Sequence, residues 1–577
     1  MAKQTKAYKK KAIKSKKIKD LKDKLDFFDR LNKFFDRYLK AIFWITLAIA
    51  FIISMFLFDT KVSIGGDDSE YIIGAKKFME GVKFPTWHGS FYPMFLSFFM
   101  MIFGVNVVAF KILSIPLMLG QHFLIFQTFK NRIPSFLLAM VLLALSINGH
   151  LLYFSSSTYS EALFFFLQAL LIYFFFILDD KLRISASIKS TWKNWLAFGF
   201  VMFLLFLTRN IGLGVIISVV LYFLINKNWL PAVYTIASFL VFQLPFTLYK
   251  SVRWGLVGTG AESQFNTMFY KHAYDRSQGT EDLIGFITRF WDNSMLYLSK
   301  HLYIELGLLS IGSIEKSGFL VILTYLLFFV AFVYIYKKHK QLVFLGIYLA
   351  VMLGATFVSQ QAHWDQYRLV LIFIPQILVF FVYGMYLLFK TQYVKMFQVF
   401  LIAYLFVMPL FMLGHTIPLI RANTPTLKKN MDGNTLYGFT PDWVNYISMC
   451  QHVEKTLPDS VGVACRKPNI ASIYSEGRDF FGIYRLPSQD PDTLLNYLEV
   501  NNIDYVIIGS LRTVPKMKTD RTITTIRNYL YFIQQKYPRI FSQVHSVGKD
   551  EGAVLVKILW ENKSFTADPA LKPKDNQ

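Results

Sequence analysis

Residues 65–71 read Gly-Gly-Asp-Asp-Ser-Glu-Tyr and place Asp67, Asp68 and Glu70 within four positions. A carboxylate in such a group can accept the proton of an incoming hydroxyl. Glu161 follows in Thr158-Tyr159-Ser160-Glu161, Arg209 in Thr208-Arg209-Asn210, and Arg368 in Gln366-Tyr367-Arg368. Arginine stays charged and grips phosphate oxygens with paired hydrogen bonds. Acids and arginines gathered at one place suit displacement at a phosphate-linked carbon. Each residue also has an ordinary structural use. Gly-Gly-Asp-Asp-Ser is turn chemistry, and Asp68 can cap the helix that follows. Glu161 can serve a helix dipole, and the arginines can snorkel at an interface. The groups are about 90, 50 and 160 residues apart in sequence, so the elements between them must bring them together.

Those elements are apolar. The chain has 577 residues, 54% hydrophobic and 18% aromatic, with 17% charged and a mean hydropathy of +0.39. A soluble protein of this length carries roughly a quarter charged residues. The deficit and the long apolar runs put most of the chain in lipid. Segments near 41–58, 107–129, 133–153, 162–178, 195–208, 211–225, 230–249, 317–336, 342–358, 369–389 and 397–414 give about eleven spans at ~20 residues per crossing. The run Ser90–Gly104 begins Phe-Tyr-Pro and reads as a surface or re-entrant helix. The fold class is therefore a membrane all-α, polytopic bundle.

Charge sets the expected orientation. Residues 1–40 carry 15 Lys/Arg against 5 Asp/Glu. This basic segment suits a cytoplasmic anchor on anionic lipid better than nucleic-acid binding. Leu21, Leu25, Phe28, Leu31 and Phe35 recur at helical spacing, which predicts an amphipathic helix on the membrane surface. Alternate turns, near Lys130/Arg132, Lys181–Lys193, Lys227, Lys337–Lys340 and Lys390/Lys395, are basic. They predict a cytoplasmic N-terminus in the inner (cytoplasmic) membrane, with the four polar groups on the opposite face. Ionisable groups at such depth are costly and mark function by default.

From about 421 hydropathy falls and turn residues rise. Strands near Val461–Cys465, Asp504–Gly509 and Val554–Ile558, with helices near Thr493–Val500 and Ile523–Lys536, predict a small exocytoplasmic α/β domain over 421–577. The transmembrane unit is then 41–420, behind the basic segment 1–40. Cys450 and Cys465 both fall in the C-terminal domain and are open to one disulfide or two free thiols. There is no P-loop, no zinc-type spacing and no internal repeat.

The order of these motifs resembles the GT-C superfamily of integral-membrane glycosyltransferases, in the style of protein O-mannosyltransferases and aminoarabinose transferases. The acidic motif is Asp67-Asp68-Ser69-Glu70-Tyr71, followed by Tyr92-Pro93-Met94 through Ile102-Phe103-Gly104. Glu161 matches a second acidic position. Leu207-Thr208-Arg209-Asn210-Ile211-Gly212-Leu213 and Tyr367-Arg368-Leu369 through Pro375 are similar to later family segments. Asp68 stands where Glu is usual, and Tyr367 and Arg368 stand in exchanged order.

The resemblance implies inverting transfer from a polyprenyl-phosphate-linked sugar, with membrane lipids around the site and an acceptor that is protein, lipid or glycan. Asp67 or Asp68 would be the base. Glu161 would position the acceptor, or would share a divalent metal with Asp67; no other cofactor is implied. Arg368, then Arg209, would stabilise the leaving phosphate, with Tyr367 beside them. Tyr71, Glu70, His88 and Tyr92 are assigned to substrate contact, while His150 and His363 read as structural. The stretch Val252–Lys316, with Gly258-Thr259-Gly260, reads as a lid over the site. Two other readings keep the sided charges: a polymerase or ligase using diphosphate-linked donors, and a flippase. A flippase places its charges at the midplane of repeated halves, and neither feature is present. A sensor would not need all four charged groups.

Overall fold

The computed structural model describes residues 27–564 apart from 87–88, 185–186, 256–265, 273–277, 311–314, 362–363, 392–394 and 513–521. His88, His363, Gly258-Thr259-Gly260 and the basic stretch 1–26 lie outside the described residues. Seven described helices are long and apolar enough to cross a membrane, and an eighth span is a bent pair. Shorter apolar helices complete the set. Each of the eleven expected segments carries a helix, and Phe91–Phe103 is a short apolar helix of its own. The chain is a multi-pass membrane protein.

Helix α1 (Phe27–Phe56) runs unbroken for 30 residues. The amphipathic helix expected over 18–40 is described from residue 27, where it runs without a break into the first apolar span. Its apolar stripe meets protein. Phe28 is buried, 5.6 Å from the Phe136 ring and 5.1 Å from Tyr386. Asp29 accepts from Lys390 Nζ at 3.1 Å. A helix that finds an aromatic partner in the bundle gains more than one resting on lipid, because close-packed contacts are not matched by fluid chains.

Four elements follow: α2 (Asp67–Met79), α3 (Phe91–Phe103), α4 (Val107–Phe129) and the bent pair α5 (Ser135–Ile147) and α6 (Gly149–Tyr153). The pair bends by 52° at Asn148. Asn148 caps α6 by accepting from Leu151 N–H at 2.9 Å. The long helices α7 (Ser160–Ile184) and α8 (Ile188–Thr208) pack against each other and are followed by α9 (Leu213–Ile225) and α10 (Trp229–Trp254). The stretch expected to be a lid is partly helical. It holds α11 (Leu283–Leu296), a π-turn over Tyr297–His301 and α12 (Leu302–Glu305). Arg289 pins it, donating to Met268 O at 2.7 Å, Tyr270 O at 3.0 Å and Glu281 at 2.7 Å. Asn293 ties it to Phe357 O and Gln360 O, at 2.8 and 2.6 Å.

The bundle closes with α13 (Gly318–Lys338), α14 (Val343–Ser359), α15 (Arg368–Leu371), α16 (Ile374–Thr391) and α17 (Lys395–Met431). Helix α17 passes through Pro409, Pro418 and Pro425 and runs ten residues beyond the expected boundary at 421. Falling hydropathy there marks the exit from the apolar layer, not the end of the helix. Asn423 Nδ2 holds the extension, donating to Phe56 O at 3.0 Å and Phe58 O at 2.8 Å at the end of α1.

The C-terminal domain is α/β. Its sheet has the order β2-β1-β3-β5-β4, from β1 (Gly462–Cys465), β2 (Phe481–Gly482), β3 (Ile503–Gly509), β4 (Phe541–Val547) and β5 (Ala553–Ile558). β1 is parallel to β2 and β3, and β5 is antiparallel to β3 and β4. One face packs on α18 (Pro441–Thr456) through Trp443, Tyr446, Ile447 and Val453. The other packs on α20 (Pro491–Val500) and α21 (Thr525–Lys536) through Leu494, Leu498, Tyr529 and Ile533. Between β1 and β2 lies α19 (Pro468–Tyr474). β3 (Ile-Asp-Tyr-Val-Ile-Ile-Gly) buries both faces, which explains why it reads as an apolar run instead of an alternating one. Cys450 and Cys465 are free and buried, so no disulfide joins them.

Candidate active site

The acids stand on the first turn of α2. Gly66 precedes them at φ +99°, a left-handed conformation that glycine adopts without penalty. Asp67, Asp68 and Glu70 then occupy the positively polarised helix start, where carboxylates are favoured by about 0.3–1 kcal/mol each. The two adjacent aspartates diverge. Asp68 is 1% exposed, and both its oxygens are engaged: Ser63 N–H donates at 2.6 Å and Ser69 N–H at 2.8 Å. Burial pushes its carboxyl up to about 7, against the pull of the Ser63 amide. Asp67 points the other way, with 29% of its side chain exposed, and accepts from Arg368 Nη1 at 2.8 Å.

Arg368 is the hub. Its Nη1 lies 3.7 Å from Glu161 Oε1, and its Nε donates to Gln366 Oε1 at 2.7 Å. Arg209 Nη1 meets the same Glu161 oxygen at 2.9 Å. The side chain of Glu161 is 2% exposed, a buried carboxylate facing two guanidinium groups. Asp67, Arg368, Glu161 and Arg209 thus form one chain of alternating charge, built from α2, the start of α15, the start of α7 and the end of α8. Helix order explains the meeting, since each residue sits at the end of its helix on the same end of the bundle.

The chain just before Arg209 is packed tightly against a neighbouring loop. Gly89 has φ +112°, and a Cβ built on it would lie 2.3 Å from Thr208 O. Only glycine lets the loop before α3 approach that close. Ser63 and Tyr159 join α2's approach to α7 by a 2.6 Å hydroxyl contact, and Arg368 lies over the Tyr159 ring at 5.9 Å.

The residues assigned to substrate contact are dispersed. Glu70 is half-buried, and burial with the neighbouring Asp67 charge pushes its carboxyl up to about 7. Tyr71 and Tyr92 are buried behind the acids, 5.0 Å apart edge to face, with the Tyr71 hydroxyl 3.1 Å from Ser160 Oγ. Tyr367 lies 5.2 Å from the His150 ring. His150 Nδ1 in turn meets buried Glu305 at 2.7 Å, and Asn148 Nδ2 donates to the same carboxylate at 3.2 Å. Behind the acids, buried Lys111 of α4 pairs with Asp59 at 2.5 Å. Lys111 and Glu305 are the buried charges that local sequence pattern marks least. A lone lysine inside an apolar segment was the visible signal for Lys111; Glu305 lay in a stretch read as loop.

Asp67 and Glu161 converge as a metal pair would, but a guanidinium stands between them. Among the described residues no three His, Cys, Asp or Glu side chains gather to hold a metal ion. Among the described residues, then, Asp67 and Glu161 face Arg368 between them and are the two carboxylates that a divalent ion could use there.

No family model matches the chain, and no curated protein matches it. Solved structures do match its fold. The apo ArnT of Cupriavidus metallidurans superposes at TM-score 0.52 with 12% identity, over 89% of this chain and 97% of that one. ArnT bound to undecaprenyl phosphate gives 0.51 and 12%, over 91% and 98%. The apo oligosaccharyltransferase of Archaeoglobus fulgidus gives 0.51 and 13%, over 88% and 80%. The agreement covers the bundle and the C-terminal domain together, so the chain shares the overall fold of these solved structures.

Proposed function

We propose that this protein is an inverting glycosyltransferase that takes a hexose or pentose from a polyprenyl-phosphate carrier, on the membrane face away from the cytoplasm. The observation that carries the reading is the Asp67–Arg368–Glu161–Arg209 chain at one end of a GT-C bundle. The C. metallidurans protein of this fold was solved with undecprenyl-type lipid, undecaprenyl phosphate, bound, which supports a donor of that class here.

In this mechanism the acceptor hydroxyl attacks the anomeric carbon from the side opposite the phosphate. The bond from the anomeric carbon to the phosphate oxygen breaks, and its electron pair leaves on the polyprenyl phosphate. The hydroxyl proton passes to Asp67. Asp67 suits the base better than Asp68, because it is open and Asp68 spends both oxygens on backbone amides. Arg368, and Arg209 behind it, meet the growing charge on the leaving phosphate. Glu161 lies 2.9 Å from Arg209 and 3.7 Å from Arg368, so its charge draws both arginines to one place before substrate arrives.

The test is transfer of labelled sugar from synthetic polyprenyl-phosphate donors in membranes, with Asp67→Asn as the comparison. Product lost in the variant supports the reading. Turnover of a diphosphate-linked donor alone would favour a polymerase or ligase, and lipid movement without a covalent product would favour a flippase.

A further inference from the structure

The C-terminal domain and the helix extension that leads to it grip the segment presenting the acids. Thr60 N–H donates to Asn430 Oδ1 at 3.1 Å, and Lys61 Nζ to Gly438 O at 2.7 Å. Val62 N–H donates to the Tyr474 hydroxyl at 3.1 Å, and Lys76 Nζ to Gly477 O at 2.6 Å. These four contacts hold the two ends of the segment.

A fifth contact sits in its middle. Lys467 Nζ donates to Ile64 O and to Gly65 O, each at 3.2 Å. A Cβ built on Gly66 would lie 3.7 Å from that nitrogen. The ammonium therefore covers the turn whose left-handed Gly66 launches α2, one residue before Asp67. Its base is rigid. Lys467 lies two residues past the end of β1, and its own N–H and C=O both engage the buried Tyr446 hydroxyl, at 3.3 and 3.2 Å. Pro468 then starts α19.

Removing an ammonium from water costs free energy unless partners repay it. Docking is already served by the four other contacts, two of them lysine ammonium groups on carbonyls; the Lys467 contact differs in its place, on the turn that ends one residue before Asp67. Here burial and the neighbouring Arg466 act against the charge, while two carbonyls and the fields of Asp67 and Asp68 offset part of that cost.

We propose that Lys467, contributed by the C-terminal domain, is a positioning residue for the transfer reaction: it locks the Ile64–Gly66 turn and so fixes the direction in which Asp67 meets Arg368. The proposal rests on Asp67 being the base; it is independent of the identity of sugar and acceptor. It also gives the C-terminal domain a part in catalysis, as a clamp on the acidic loop.

The experiment uses full-length protein in lipid nanodiscs, comparing wild type, Lys467→Met and Lys467→Arg. Methionine keeps the stem and removes the charge; arginine restores a cation that can reach the same carbonyls. Lys467→Met should lower kcat by about 10- to 100-fold, the scale of a small misplacement of a reacting group. The donor KM should stay within about twofold, since Lys467 is bonded to the turn and not to Arg368 or Arg209, and Lys467→Arg should recover part of kcat. Hydrogen exchange provides a readout that needs no turnover. Amides of 62–70 should exchange faster in Lys467→Met, with β3 and β5 unchanged. Unchanged exchange at 62–70 would overturn the proposal. So would a kcat loss that tracks lost folded protein, spreads exchange through the whole domain and is not recovered by arginine. If wild type turns over no polyprenyl-phosphate donor, the functional reading fails, and the exchange arm still decides whether Lys467 locks the turn.

Discussion

Asp67 and Asp68 are adjacent and chemically identical, yet the structure gives them opposite environments. Asp68 is buried under two amides, whereas Asp67 is open to a guanidinium. Asp67→Asn should remove transfer by about 10²–10⁴-fold, the usual worth of a general base, with the protein level in membranes unchanged; labelled-sugar transfer and immunoblotting check both halves. Asp68→Asn should act on stability. The buried carboxyl titrates near 7 in the folded protein, above its unfolded value. A raised acid contributes stability at low pH that is lost as pH rises through the folded value. The asparagine variant carries no such titration. Its Tm relative to wild type should therefore rise between about pH 4 and 7 and level off above, as thermal unfolding in detergent would show; a flat difference would mean that Asp68 keeps its charge throughout. Arg368→Ala should weaken donor binding more than Arg209→Ala, because Arg368 touches both carboxylates and Arg209 only Glu161; donor titration of the two variants ranks them.

Elements bring these residues together by ending at the right height. Helix α7 starts at Ser160, α8 ends at Thr208 and α15 starts at Arg368, so three distant charges reach one level. Close approaches fix the level. Gly89 against Thr208 is the tightest near the site. Gly89→Ala puts a methyl on a carbonyl and forces a left-handed alanine, which alone costs about 1–2 kcal/mol. Tm should fall, and donor affinity should fall with it as Arg209 shifts; a variant with wild-type Tm and affinity would show the loop yields freely. The break at Asn148 is a second such device. It turns His150 towards Glu305 and lets Gly149 N–H donate to Thr416 Oγ1 on α17 at 2.8 Å.

At the scale of the molecule, the bundle and the C-terminal domain act together on the acidic loop. The domain is held by its own core and needs no covalent staple. Both cysteines are buried, and burial pushes the Cys465 thiol up to about 12 and Cys450 up as well. A thiol reagent should therefore label neither in the native protein and both after denaturation, and reductant should leave Tm unchanged. Two labelled sites without denaturant would mean that the domain opens readily.

Hydropathy and residue type carried far in this chain. Spans of about 20 apolar residues have few alternatives in lipid, because every backbone polar group must be satisfied within the segment. The eleven helical segments, the α/β character of the last part and the charges at one end were legible for that reason. The core strands β1, β3 and β5 were legible too, as short apolar runs between turn residues. The rest depended on distance in space. Which aspartate is buried follows from where Ser63 and Ser69 place their amides. Whether residues 27–40 meet lipid or protein follows from the rings of Phe136 and Tyr386, more than 90 residues away. The lysine at 467 lies about 400 residues from the turn it holds. Local pattern fixes which groups can exist in a membrane; only the folded chain decides which of them meet, since ion pairs and hydrogen bonds act over a few ångströms and take no account of separation along the sequence.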